Sequence, residues 1–147
     1  MEKDIIKQII LNQQEFISKV ELLPRKLSME KNANYVFVGI RRAGKTYMLY
    51  QHIQQLLRQG HDKQEILFIN FEDERITDIR KEELHLIVEC YKEMFACDPI
   101  IFLDEIQNVE GWEHFARRLA DEKRQVFITG SNAHMLSREI ASTLGGR

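Results

Sequence analysis

A chain of 147 residues, 44% hydrophobic and 30% charged, is long enough for one domain with a real core and has the balance of an ordinary soluble globular protein. Its formal net charge of −2 excludes a global basic field that would draw in nucleic acid, and leaves only local patches for that task. No apolar run approaches the roughly 20 residues of a bilayer span, and "MEKDIIKQII" has no signal-peptide core, so a cytoplasmic protein with no membrane partner is expected.

Residues Asp4 to Val20 carry Ile5, Ile6, Ile9, Ile10, Phe16, Ile17 and Val20 at helical spacing. "LLPRKLSMEKNAN" follows as a connector broken by Pro24, so residues 1–34 read as a helix plus connector ahead of a core at 35–147. "YVFVG" is apolar on both faces, as a buried parallel strand is. A helix starts near Lys45, with Leu49, Ile53, Leu56 and Leu57 on one face and Gly60 as its stop. "EILFINFE" is a second strand, "KEELHLIVECYKEMF" a helix, and "IIFLDE" a third strand after Pro99. "GWEHFARRLADEK" is helical, with Trp112, Phe115, Ala116 and Leu119 inward. "QVFITGS" makes a fourth strand and "NAHMLSREIASTL" a last helix before Gly145-Gly146. Strands alternating with helices imply a parallel sheet covered on both faces. Cys90 and Cys97, seven apart, fit no zinc site or redox pair and read as reduced thiols. The chain ends on "LGGR" soon after its fourth strand, and is expected to be a fragment of something longer.

"GIRRAGKT", Gly39 to Thr46, matches G-x-x-x-x-G-K-[ST] between a strand and a helix, the setting that gives the pattern its meaning. Gly39 and Gly44 supply backbone freedom for successive N–H groups to meet one phosphate. The N-terminus of the following helix aims its partial positive charge at the same place. Lys45 would reach the β and γ phosphates, and Thr46 would offer a hydroxyl to Mg²⁺. For Arg41 and Arg42 two readings stand: contact with phosphate or base, or a solvated position. Ala43 and Tyr47 complete the loop set.

"IIFLDEIQ" puts Asp104 and Glu105 at the C-terminal end of an apolar strand, where ligands bind in open α/β sheets. Asp104 is expected to support Mg²⁺ through water, and Glu105 to activate the attacking water. Gln107 reads as a sensor or as the start of the next loop. At the end of "FITGSN", Thr129, Ser131 and Asn132 are polar candidates for a γ-phosphate sensor, with Ser131 and Asn132 favoured; a helix N-cap is the alternative. Arg147 reads as an arginine finger reaching a neighbouring subunit or as a solvated terminal residue. The acids of "INFEDERI", Glu72, Asp73 and Glu74, read as a solvated strand end, with approach to the metal or a neighbour as the alternative. Arg117, Arg118, Lys123 and Arg124 lack interleaved aromatics, which leaves nucleic acid weakly supported as a partner.

With these motifs in place, the chain resembles a family of bacterial and archaeal AAA+-type P-loop ATPases. The likeness runs through "GIRRAGKT", "INFEDERI", "FLDEIQNVEGWE", "FITGSNAHML" and "GGR". It implies an α/β P-loop NTPase of three α/β/α layers, of the additional-strand type, with the sensor strand beside the P-loop strand. It also implies ATP and Mg²⁺ as ligands. The family continues into a fifth strand and a C-terminal domain, so the expected core is C-terminally truncated. The reading is an ATPase that hydrolyses ATP to ADP and phosphate. The rivals are a nucleotide-binding switch module without turnover of its own, a small-molecule kinase, and a nucleic-acid-dependent motor. Adenine preference, oligomeric state and the remodelled substrate have no motif to read.

Overall fold

The computed structural model describes residues 1–22, 35–38 and 44–131. Helix α1 (Lys3–Lys19) comes first, followed by strand β1 (Tyr35–Val38) and helix α2 (Lys45–Arg58). Then come β2 (Ile66–Asn70), α3 (His85–Met94), β3 (Ile100–Asp104), α4 (Trp112–Asp121) and β4 (Val126–Gly130). The helix expected over "NAHMLSREIASTL" lies outside the described residues.

The four strands form one parallel sheet in the order β1-β4-β3-β2. β1 therefore pairs with β4, the arrangement that the family resemblance implies. Leu103 stands opposite Ile128, so one residue further on Asp104 comes beside Thr129. On its other side Asp104 pairs with Asn70.

Alternation along β2, β3 and β4 splits the core into two unlike halves. One face presents Leu67, Ile69, Ile101, Leu103, Val126 and Ile128. Ile6, Ile9 and Ile10 of α1, Ile87 and Tyr91 of α3, and Phe115 and Leu119 of α4 cover it. The other face presents Ile66, Phe68, Ile100, Phe102 and Phe127 to Leu49, Ile53 and Leu56 of α2 and to Ile17 of α1. Helices on both faces make three layers.

α1 belongs to both halves and also covers the β2 edge, where Gln14 Nε2 donates to the Ile66 carbonyl at 2.9 Å. That gives an otherwise open strand a partner. α2 stops as its sequence predicts. Gly60 takes φ +106°, its N–H meets the Leu57 carbonyl at 3.2 Å, and the His61 N–H meets that of Leu56 at 3.1 Å. The single helix expected over "KEELHLIVECYKEMF" is divided into a 3₁₀ turn at Lys81–Glu83 and α3. The Glu83 carboxylate bends back to the Arg80 N–H at 3.1 Å and also takes the N-terminal ammonium of Met1, which ties the turn down separately. Both cysteines are free thiols. Among the described residues no helix is long and apolar enough to cross a membrane.

Candidate active site

The site begins where β3 runs out. Asp104, its last residue, is fully buried. Its two carboxylate oxygens are held by different elements. Oδ2 accepts from Thr46 Oγ1 of α2 at 2.7 Å, across 58 residues of chain. Oδ1 accepts from Thr129 Oγ1 of β4, the neighbour that the strand register supplies. Burial raises the pKa of Asp104, while the two hydroxyl bonds pull it back down. Its charge also reaches Tyr50 of α2, whose phenol is pushed up to about 12, chiefly by burial.

Glu105 leaves the strand sharply. Its backbone is left-handed, at φ 56° and ψ 45°, a conformation that costs a side-chain-bearing residue about 1–2 kcal/mol. The turn is secured from below, because the Glu105 N–H donates to Thr129 Oγ1 at 2.9 Å. One threonine hydroxyl thus donates to the carboxylate of one acid and accepts from the amide of the next. The Glu105 carboxylate is buried too, at 4% exposure. It accepts from Ser131 Oγ at 2.7 and 2.9 Å and from Gln107 Nε2 at 2.7 Å. Lys45 Nζ stands 4.0 Å from its Oε1.

Lys45 opens α2 and is itself only 7% exposed. Gly44 precedes it at φ 91°, the left-handed geometry that glycine adopts without cost. Thr46 and Tyr47 follow, both half-buried, in the first turn of the helix. Lys45, Thr46, Asp104 and Glu105 therefore meet at the C-terminal end of the sheet. One ammonium and two carboxylates share a site largely closed to water, and an acidic Glu72 nearby adds to the negative field on Asp104. The hydroxyl and carboxylate oxygens that face each other are the hard donors suited to a small divalent cation. Among the described residues no group of three or more His, Cys, Asp and Glu side chains could hold a metal unaided.

Of the residues expected from the sequence, the fold brings together Lys45, Thr46, Asp104, Glu105 and Ser131, and seats Gly44 and Tyr47 beside them. Gly39, Arg41, Arg42, Ala43, Asn132 and Arg147 lie outside the described residues. Ser131 contacts Glu105, whereas the side chain on Asp104 is Thr129, which the sequence reading ranked behind Ser131 and Asn132. Setting "IIFLD" against "VFIT" in parallel register would have singled it out. Gln107, left between two roles, is a direct partner of Glu105.

Known proteins place the chain in a family. A family model described as an AAA domain matches residues 31–147. An uncharacterised protein of Methanocaldococcus jannaschii is 37% identical over 147 residues, covering 99% of this chain and 32% of that protein. An uncharacterised protein of Haemophilus influenzae is 36% identical over 129 residues, covering 84% of this chain and 32% of its own length. The chain thus spans about a third of the length of these curated relatives. No solved structure matches it. On the family match, and with an α/β fold of the P-loop NTPase kind, the chain belongs to the AAA-domain family, whose members are nucleotide-binding and ATPase-like.

Proposed function

We propose that this domain binds ATP and Mg²⁺ and hydrolyses ATP to ADP and phosphate. The observation that carries the reading is the Thr46–Asp104 hydrogen bond of 2.7 Å. It joins the first turn of the glycine-loop helix to the acidic end of β3, as a shared metal–phosphate site requires. Gly39, Arg41, Arg42, Ala43, Gly44, Lys45, Thr46 and Tyr47 are assigned to the phosphate cradle. Thr46 and Asp104 would hold Mg²⁺, whose chemistry when bound is to neutralise charge on the β and γ oxygens. Lys45 adds a buried ammonium to the same phosphates.

Glu105 takes a proton from a water whose oxygen bonds to the γ-phosphorus. The bond from that phosphorus to the β,γ-bridging oxygen breaks, and ADP leaves with the electron pair. Ser131 and Gln107 keep the Glu105 carboxylate oriented. Ser131 or Asn132 is the candidate γ-phosphate sensor, and Arg147 the candidate finger, which would act across a homo-oligomer interface in the cytoplasm.

Glu105→Gln tests the reading: ATP binding should persist and hydrolysis should stop. Unchanged turnover in that variant would sink the base assignment. A second reading, a switch module without turnover of its own, draws on one observation. Both Glu105 oxygens are already engaged by Ser131 and Gln107. Turnover that appears only when a partner protein is added would favour it.

A further inference from the structure

Gln107 has a second half that the site has not yet used. It lies on the 3₁₀ turn Ile106–Asn108, just past Glu105. Side chains two residues apart do not meet on a regular helix. Here the left-handed Glu105 and the tight turn fold Gln107 back onto the Glu105 carboxylate. The turn is firm: Ile106 is fully buried, and Asn108 Nδ2 donates to the Phe71 carbonyl at 3.3 Å. Gln107 Nε2 is taken by the Glu105 carboxylate, which leaves the amide oxygen Oε1 as the side chain's acceptor. That oxygen is buried and has no hydrogen-bond partner. An acceptor closed off from solvent and left empty is unfavourable, and native structures keep few of them.

The orphan oxygen matches a need of the proposed hydrolysis, on which this inference rests. The attacking water carries two O–H bonds. Glu105 takes the proton of one. The other must also find an acceptor, or the water can rotate about its bond to Glu105 and its lone pair loses aim at phosphorus. We propose that Gln107 Oε1 accepts this second hydrogen bond, so that one residue grips the base with its amide nitrogen and the nucleophile with its amide oxygen. Gln107 is then a catalytic residue. Its donor and acceptor are separated by one carbon, so water and base are held at a fixed spacing.

The test uses the protein with two ligands, followed by thermal-midpoint shifts and by titration. One is a non-hydrolysable ATP analogue with Mg²⁺, which needs no attacking water. The other is ADP with aluminium fluoride, which mimics the transition state and carries the in-line water. Gln107→Met keeps the length of the side chain and removes both polar atoms; Gln107→Ala is the second variant, should methionine pack badly. Affinity for the ATP analogue should stay within about twofold, as for a residue outside ground-state binding. Affinity for ADP with aluminium fluoride should fall by about tenfold or more, and kcat by about 10²-fold with KM unchanged. The midpoint without ligand should change little, because removal of an unsatisfied buried acceptor offsets loss of the Nε2 donor to the Glu105 carboxylate. Equal loss of both ligands would overturn the proposal and make Gln107 a structural support. Retained aluminium fluoride binding and turnover would overturn it as well. Glu105→Gln, run alongside, separates the two levels of the argument. Wild-type turnover in that variant removes the base, and a wild type that neither ligand stabilises removes the ATPase reading and Gln107's role with it.

Discussion

Two neighbouring strands of this sheet end in acids, and only one end makes a site. β2 runs into Glu72, Asp73 and Glu74; β3 runs into Asp104 and Glu105. The last residues of the two strands, Asn70 and Asp104, are directly paired. Yet at the β2 end the turn is closed locally, while Glu72 adds only its field to Asp104. Asn70 Oδ1 takes the Glu72 N–H at 2.9 Å. Asp73 accepts from the backbone and the guanidinium of Arg75, two residues on, at 2.7–3.0 Å. The acids after β3 are held by side chains that arrive from α2, from β4 and from the segment just beyond it. Asp104 is bound by Thr46 and Thr129, and Glu105 by Ser131 as well as by Gln107 of its own turn. Composition is alike at the two ends. Partners distant in sequence and exclusion of water distinguish them, and those conditions let a carboxylate do more than fold a loop.

The largest test of this contrast is in turnover. Glu105→Gln should lower kcat by about 10²–10⁴-fold, the usual worth of a positioned general base. Asp73→Asn and Glu74→Gln, matched changes at the β2 end, should leave kcat within about twofold, as surface substitutions do. Steady-state phosphate release from the three variants checks it. Comparable losses at both ends would erase the distinction.

The next test is in stability. Thr129→Val keeps the shape of a fully buried residue and removes its hydroxyl. The Asp104 carboxylate and the Glu105 amide would each lose a partner. At about 1–3 kcal/mol for each of the two groups, the variant should lose about 2–6 kcal/mol by urea unfolding. Ser131→Ala should cost less, because Ser131 is only half-buried and water can replace it.

Much of this was legible in the sequence, for a definite reason. Strands with both faces buried are written as apolar runs, and β2, β3 and β4 stand out as "ILFIN", "IIFLD" and "VFITG". The acid pair was equally plain at the end of an apolar strand, and the structure brings it together with Lys45 and Thr46. Three things were harder to see. Thr129 was passed over in favour of Ser131 and Asn132, because its role depends on the register between β3 and β4, which no local pattern encodes. The grip of Gln107 on Glu105 depends on a left-handed backbone at a glutamate, and residue type gives no sign of that. The break ahead of α3 was hidden for a similar reason, since Glu83 is a good helix former that here caps its own turn.

A smaller effect lies behind the β3–β4 ends. His52 of α2 is buried against Phe127 and Phe102, with ring centroids 4.7 and 6.3 Å away, and neither ring nitrogen has a hydrogen-bond partner. Burial alone lowers its pKa below 6.5, and no charged group contributes. The unfolded chain therefore binds the proton more readily than the folded one. This part of the stability is complete above about pH 6.5 and declines as pH falls from there toward the lowered folded value. His52→Leu should flatten that decline in unfolding curves recorded from pH 7.5 to 5. An unchanged slope would mean that the ring finds a partner in solution.

The smallest effect returns to β2. Arg75 holds the Asp73 carboxyl below its ordinary 3.8, chiefly through their side-chain hydrogen bonds. A carboxylate with a lowered folded pKa adds stability above its unfolded pKa and loses it as pH falls through the folded value. The Asp73–Arg75 pair should therefore matter at neutral pH and vanish in acid. Its size is limited. Arg75 is partly exposed, and an ion pair between residues two apart costs little chain entropy to lose, so Asp73→Asn should give up only about 0.2–1 kcal/mol. The loss should shrink further in high salt, where exposed charges are screened. Arg75 also donates to Asn12 of α1 at 2.8 Å, so Arg75→Ala should exceed Asp73→Asn by the value of that one bond. A salt-insensitive loss of several kcal/mol at Asp73 would show that the β2 acids are as deeply committed as those of β3, and the contrast between the two strand ends would have to be given up.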